Sequence, residues 1–430
     1  MSWLNDEPPE GWTAPALTEV ADIVMGQSPP GVTYNTGGKG LPFFQGKSEF
    51  GVDHPTVRKW CTAPSRIAEP GDILMSVRAP VGPTNVADQL CAVGRGLAAI
   101  RVRPGVPANL VRHAIKLQED EIASWGTGTT FTAISKHHFD EIRIPLPPKE
   151  LRNDLAERLD QIVRLRRSSS THILAGRRAI TRFRQALLAA AYSEAQEEDG
   201  GTEVPLERLL REPLKNGYSA MPVHHVTPFR VLTLTATTSG WFNDRHFKYT
   251  DEQFSADSPF WLRSGDIVIQ RGNTPEYVGV PALYEGAPCE FLYPDLMIRA
   301  RVHADIAPRF VWYMLLAPQA RAYVRERATG SAGNMPKVNQ KILNQVPVPL
   351  PTIESRQRIV ETLDRALARA DSTILNLNNG ADRLDRSLQA VLAKAFRGEL
   401  VDIKGRSLML DLPGPDSVKV RRLADDPRQP

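Results

Sequence analysis

An internal repeat constrains this chain more than any other feature. The segment Gly126–Tyr192 aligns without a gap on Gly330–Phe396, at a constant offset of 204 residues. Ile144-Pro-Leu-Pro147 falls on Val348-Pro-Leu-Pro351, and Leu155-Ala-Glu-Arg-Leu-Asp160 on Ile359-Val-Glu-Thr-Leu-Asp364. Gln185-Ala-Leu-Leu-Ala189 falls on Gln389-Ala-Val-Leu-Ala393. Upstream the match is looser and needs gaps, with Pro70-Gly-Asp-Ile-Leu-Met-Ser-Val-Arg78 resembling Ser264-Gly-Asp-Ile-Val-Ile-Gln-Arg271. A fixed period this long means two copies of one folding unit. Each half reads as a variable globular part followed by a well-matched helix.

After the two PLP junctions the prolines stop, and the sequence favours helix for about 45 residues. Leu155, Leu159, Ile162, Arg166, Ser169, Ile173, Gly176, Ile180, Phe183 and Leu187 follow one another at alternating spacings of four and three. The same register gives Ile359, Leu363, Ala366, Ala370, Thr373, Leu377, Gly380, Leu384, Ser387 and Val391. A heptad seam sustained this far predicts a coiled coil, with each helix roughly 60 Å long. Small residues at the equivalent positions Gly176 and Gly380 are expected to let two backbones approach closely. Two copies in one chain suggest that the helices pair with each other. The alternative is that each packs on its own domain. Antiparallel pairing would place the two globular parts at opposite ends of a rod.

The globular parts are rich in short β-branched runs punctuated by Gly and Pro, such as Asp72–Arg78, Leu97–Val102, Asp266–Gln270 and Leu296–Ala300. Helix-like stretches follow at Ala108–Ile122 and Ile306–Arg327. The expected fold class is α+β, two domains in tandem repeat separated by two long helices that form an antiparallel coiled coil. The boundaries read as a domain over 1–148, a helix over 149–193 and an acidic linker over 194–204. A second domain follows over 205–350, a second helix over 351–400 and a polar tail over 401–430.

Composition narrows the class without deciding it. The 430 residues are 41% hydrophobic and 24% charged, as in a soluble globular protein. No apolar run approaches the roughly 18 residues a membrane span needs. The opening MSWLNDEPPEGW has neither a basic nor an apolar leader region, so no secretory signal is expected. Cys61, Cys91 and Cys289 are scattered, which suggests a reducing cytoplasm and no cysteine metal site. A net charge of +4 supports a nucleic-acid partner only weakly.

Motif matches with catalytic meaning fail on inspection. Gly46-Lys47-Ser48 would need a glycine at position 41 for a phosphate loop, and Leu41 stands there. Gly126-Thr-Gly-Thr-Thr-Phe131 lacks the third glycine of a dinucleotide loop. No Asn-Pro-Pro-aromatic tetrapeptide of amino-methyltransferases occurs. His137-His138 and His224-His225 are adjacent pairs that point apart, a poor arrangement for one metal ion. The chain is read as carrying no catalytic residue and no metal site.

Other phrases carry a family likeness. They are Gly26-Gln-Ser-Pro-Pro30 with Tyr34-Asn35, Gly40-Leu-Pro-Phe-Phe-Gln-Gly-Lys-Ser-Glu-Phe-Gly51, Pro70-Gly-Asp-Ile-Leu74 and Gly128-Thr-Thr-Phe-Thr-Ala-Ile-Ser-Lys136. With the PLP junctions and Ala395-Phe-Arg-Gly-Glu-Leu400, the chain resembles specificity subunits of type I restriction-modification systems over nearly its full length. The resemblance implies that each domain is a target recognition domain reading one half of a bipartite double-stranded DNA site. It implies that the helices set the spacing and dock modification subunits, two in number, and that restriction subunits complete the complex. S-adenosylmethionine, ATP and magnesium are then expected only on those partners, not in this chain. An orphan or degenerate scaffold, binding partners without directing methylation, is the alternative.

DNA contact is expected from polar loop residues, with Lys and Arg suited to phosphates and Gln, Asn and Arg suited to base edges. In the first domain these are Gln27, Ser28, Tyr34, Lys47, Arg78, Thr130, Thr132, Ser135 and Lys136. In the second they are Arg271, Asn273, Thr274, Asn334, Lys337, Asn339 and Lys341. The helices differ in charge, with nine Arg against three acids over 151–193 and eight basic against six acidic residues over 355–400. The Arg-rich first helix suits either DNA or an acidic partner, or a solvated face.

Overall fold

A computed structural model describes residues 8–126, 133–198, 202–330 and 335–400. The tail expected over 401–430 and residues 199–201 of the expected linker lie outside the described residues. The chain divides into two units, one of residues up to His172 together with those from Asn379, the other Ile173–Asn378. The division cuts through both long helices instead of falling at 148 and 350. The physical reason is that the helix ends belong to the domain cores, as the packing below shows.

The first unit contains β1 (Ala21–Met25), β2 (Leu41–Phe44), β3 (Ile73–Ser76), β4 (Thr84–Val86), β5 (Cys91–Val93) and β6 (Leu97–Val102). After these come α1 (Ala108–Leu117), α2 (Glu119–Ser124) and the start of α3 (Arg152–Glu197). The second unit has β7 (Lys215–Asn216), β8 (Phe229–Leu232), β9 (Phe247–Thr250), β10 (Ile267–Gln270), β11 (Pro281–Leu283) and β12 (Met297–Ala300). Its helices are α4 (Pro308–Leu316), α5 (Pro318–Arg327), α6 (Gln340–Asn344) and most of α7 (Ile353–Phe396). The expected single helix over Ile306–Arg327 is broken, because Pro318 lacks the N–H that would continue α4.

Both units are built on one antiparallel sheet plan, β1-β6-β3-β4 in the first and β7-β12-β10-β11 in the second. Ile73 pairs with Ile100, and Ile267 with Ala300. The central strands β3 and β10 are buried along their whole length. Ile73 and Met75 face the core that holds α1, whereas Leu74 faces a second core with Phe44 and Val93. Ile267 and Ile269 against Val268 repeat this alternation, which is the two-residue period of a strand covered on both faces.

The duplicated Gly-Asp pair is explained by the turn before each central strand. Gly71 and Gly265 take φ of +93° and +91°, a region that favours glycine. Asp72 Oδ2 then accepts from the Glu69 N–H at 2.8 Å, and Asp266 Oδ2 from the Arg263 N–H at 2.8 Å. Each carboxylate is also held in a two-pronged pair, Asp72 by Arg101 at 3.1 and 2.9 Å and Asp266 by Arg301 at 2.6 and 2.7 Å.

Each unit packs its sheet against the start of one long helix and the end of the other. Leu155 and Leu159 of α3 share a core with Leu388, Leu392 and Phe396 of α7 in the first unit. Ile359 and Leu363 of α7 share a core with Leu188 and Tyr192 of α3 in the second. The helices run antiparallel, Arg184 pairing with Asp371 and Arg358 with Glu194 and Glu198 in the second unit, and Arg166 with Asp385 in the first. Ile162, Ile173, Ile180, Leu187, Leu377, Leu384 and Val391 are half-buried.

The strict heptad is corrected at several places. Phe183 is 51% exposed, while Arg184 and then Leu188 turn inward. Thr373 and Ser387 are exposed, and Ile374 and Leu388 take the inner face. A helix of 3.6 residues per turn drifts away from a 3.5-residue seam, and the domain cores fix the ends in the drifted register. Gly176 faces Leu377, whose Cδ1 would lie 3.2 Å from an added Cβ, but Gly380 has open space in front of it. Gly380 therefore does not serve a close approach.

Candidate nucleic-acid interface

Three loops of the first unit converge beyond the end of β3. The chain leaving β2 supplies Gln45, Lys47 and Ser48, the chain leaving β3 supplies Arg78, and the turn between β5 and β6 supplies Arg95. Together with Ser76, Ala79, Pro80 and Gly96 they line a cleft of about 750 Å³. Lys47 and Arg95 are exposed and Arg78 is half-buried. Among the described residues, none of these three cations makes an ion pair, whereas Arg101, Arg103, Arg112, Arg158, Arg166 and Arg167 of the same unit do. Three uncompensated cations around one opening favour an anionic ligand.

The turn that carries Arg95 is clamped from below. A Cβ added to Gly26 would sit 2.1 Å from the Gly94 carbonyl oxygen, so only glycine fits there. Gly26 N–H donates to Leu97 O at 2.9 Å and Gln27 N–H to Val93 O at 3.0 Å. Below the cleft, burial and then the Asp72 and Asp88 charges push the Cys91 thiol up to about 12, so it stays protonated and unreactive.

The other expected contacts of this unit have mixed placements. Gln27 is exposed beside the clamped turn. Ser28 Oγ is buried and has no hydrogen-bond partner among the described residues. The Tyr34 hydroxyl donates to Pro29 O at 2.7 Å and its ring stacks 4.7 Å from Phe43, so it holds its own loop. Ser135 Oγ lies 2.9 Å from His137 Nδ1, and Lys136 is exposed. Ala133 bridges to Arg78, which brings Ser135 and Lys136 near the cleft through the chain. Thr130 and Thr132 lie outside the described residues.

The second unit has a cleft of about 340 Å³ at the matching turn before β12, displaced toward β9 and lined by Tyr218, Ser219, Thr233, Lys248, Tyr249, Asp295 and Leu296 among others. Arg271 stands at its edge, its N–H donating to Leu296 O at 2.7 Å. Asn273 Nδ2 donates to Gln270 Oε1 at 2.6 Å, and its Oδ1 accepts from Thr274 N–H at 2.7 Å. Lys337 is exposed and its backbone bridges Gly272 and Thr329, which joins it to Arg271, Asn273 and Thr274. Asn339 is taken up otherwise, its side-chain oxygen accepting from Ile342 N–H at 2.9 Å as the cap of α6. Lys341 is exposed on α6, and Asn334 lies outside the described residues.

Sequence reasoning missed Gln45 and Arg95 in the first cleft, and Lys248 and Asp295 in the second. The Gly94-Arg95-Gly96 triplet was the only local signal, since strand pairing alone brings these positions together. Among the described residues, no group of three or more His, Cys, Asp or Glu side chains is placed to hold a metal ion. None of the described helices is long and apolar enough to cross a membrane.

Comparison with known proteins finds relatives of one kind. Residues 9–175 match the family model described as the type I restriction modification DNA specificity domain. The EcoKI specificity subunit of Escherichia coli K12 is 28% identical over 323 residues, covering 72% of this chain and 69% of the relative. A putative MjaX specificity subunit of Methanocaldococcus jannaschii is 38% identical over 173 residues, covering 39% of this chain and 41% of the relative. Among solved structures, the HsdS subunit from Thermoanaerobacter tengcongensis is 47% identical, over 37% of this chain and 39% of that one, with a TM-score of 0.35. The chain is similar to specificity subunits of type I restriction-modification enzymes, and its residues 9–175 match their DNA specificity domain.

Proposed function

We propose that this chain reads DNA sequence for a type I restriction-modification enzyme, each unit recognising one half of a bipartite double-stranded target. The observation that carries this is a cleft in each unit at the matching turns before β6 and β12, lined by exposed polar side chains such as Arg95 and Lys248 that suit phosphates and base edges. The paired helices act as the spacer, since half-site separation on DNA follows the separation of the readers. They also dock the modification subunits. Leu174, Phe183 and Leu375 stand 51%, 51% and 58% exposed on the two helices of the second unit, and such apolar surface favours a protein partner. S-adenosylmethionine, ATP and magnesium belong to the modification and restriction subunits, and this chain supplies recognition and no catalytic group.

The test is co-expression with the cognate modification subunit in a host lacking adenine methylation, followed by genome-wide mapping of methylated adenine. A bipartite motif with two specified halves around an unspecified spacer is the expected result. Methyl transfer by the purified chain alone, or no bipartite motif from the complex, would sink the reading.

A further inference from the structure

Two positions outside the expected contacts occupy one structural place in the two units, and they carry opposite charge. Leu97 N–H donates to Gly94 O at 2.9 Å, as Met297 N–H does to Pro294 O at 2.9 Å. Gly96 O accepts from Val77 N–H at 2.9 Å, as Leu296 O accepts from Arg271 N–H at 2.7 Å. Gly26 N–H meets Leu97 O at 2.9 Å and Gly217 N–H meets Met297 O at 3.0 Å. A Cβ on either glycine would collide with the turn, at 2.1 Å from Gly94 O or 2.2 Å from Pro294 O. These matched bonds equate Arg95 with Asp295.

We infer that Arg95 and Asp295 are the base-reading side chains of the two clefts, with Arg95 selecting guanine in one half-site and Asp295 selecting cytosine in the other. This rests on the DNA-reading function proposed above. The backbone clamp holds each turn rigid, so one side chain is presented in a fixed place, which base readout requires. Arg95 is exposed and makes no ion pair or side-chain hydrogen bond with a described residue. The Asp295 carboxylate is likewise unpaired there, although Lys248 lines the same cleft and the Asp295 carbonyl accepts from Arg271 Nη1 at 3.4 Å. A guanidinium fork matches the O6 and N7 acceptors of guanine in the major groove. A carboxylate only accepts, so it suits the N4 amino group of cytosine and repels guanine's acceptors.

The test uses the full chain in complex with its modification subunit, carrying Arg95→Gln, Arg95→Lys or Asp295→Asn, with methylated adenines mapped genome-wide. Arg95→Gln is expected to relax one guanine-containing position in one half-site, lowering its preference about 10- to 100-fold, and to leave the other half unchanged. Asp295→Asn is expected to relax one cytosine-containing position in the other half. Arg95→Lys keeps the charge and is expected to lose the guanine preference while keeping the salt dependence of binding. An unchanged motif, relaxation at other bases, or an equal loss of affinity for all sequences would overturn the inference, the last marking Arg95 as a phosphate contact. Loss of co-purification with the modification subunit in Arg95→Gln would also overturn it. A wild-type complex with no bipartite motif would instead remove the underlying function.

Discussion

Asp160 and Asp364 stand at equivalent points of the repeat, and each ties its long helix to the helix of its domain. Asp160 accepts from Asn109 Nδ2 at 2.8 Å and lies 2.7 Å from His113 Nε2, whereas Asp364 takes Arg309 at 3.1 Å and the Tyr313 hydroxyl. Burial pushes the Asp160 carboxyl up, but the His113 and Asn109 hydrogen bonds outweigh it and hold the group down at about 2. A folded value below the unfolded one near 4 means that the stabilisation is complete above about pH 4 and is lost as pH falls through 2. Asp160→Asn is therefore expected to cost on the order of 2 kcal/mol at neutral pH. In chemical denaturation, its deficit against the parent should shrink between pH 4 and pH 2. Asp266 makes a harsher case, because its side chain is 1% exposed and Arg301 only 12%. Asp266→Ala leaves a buried guanidinium without its main partner and should cost about 3–5 kcal/mol. A loss below about 1 kcal/mol in the same assay would show that Glu212, 2.8 Å from Arg301, compensates alone. The Gly-Asp repeat that announces this pair was legible in the sequence because both turns need the same residues. Arg95 and Asp295 were not, since a single polar side chain on a turn leaves no pattern beyond its own codon.

At the scale of elements, hydrophobic period told which segments are helices and which are strands, but not which helical face wins where two demands compete. The heptad count put Phe183 on the seam, yet Leu188 and Leu392 are the buried residues at 4% and 0% exposure. The domain cores claim the helix ends, and a rigid helix cannot serve them and an ideal seam in one register. Leu392→Ala is expected to cost about 2–5 kcal/mol through the cavity it leaves. Phe183→Ala should stay within about 0.5 kcal/mol. Thermal melts of the two variants separate these outcomes, and a large loss from Phe183→Ala would restore the heptad reading. If the modification subunit docks on this face, Phe183→Ala should weaken co-purification of the complex while leaving the melting temperature in place.

For the molecule as a whole, the 204-residue repeat was the most legible feature, because duplication writes the same core, turn and helix twice. The division of labour between the copies was hidden, since it lies in loop side chains brought together by strands far apart in the chain. The pairing of Gly176 with Leu377 marks a place where both helices can be lengthened in step. Four residues added to each helix there extend the pair by about 6 Å, one turn, with little change in which faces meet. On DNA that length corresponds to about one to two base pairs at 3.4 Å each. The expected result in methylome mapping is a motif with both half-sites unaltered and a spacer longer by that amount. Insertion in one helix alone would put the antiparallel faces out of register, and should lower the melting temperature of the chain. A double insertion that leaves the spacer unchanged while methylation persists would show that the helices do not set the half-site distance, and the ruler would then have to be sought in the modification subunits.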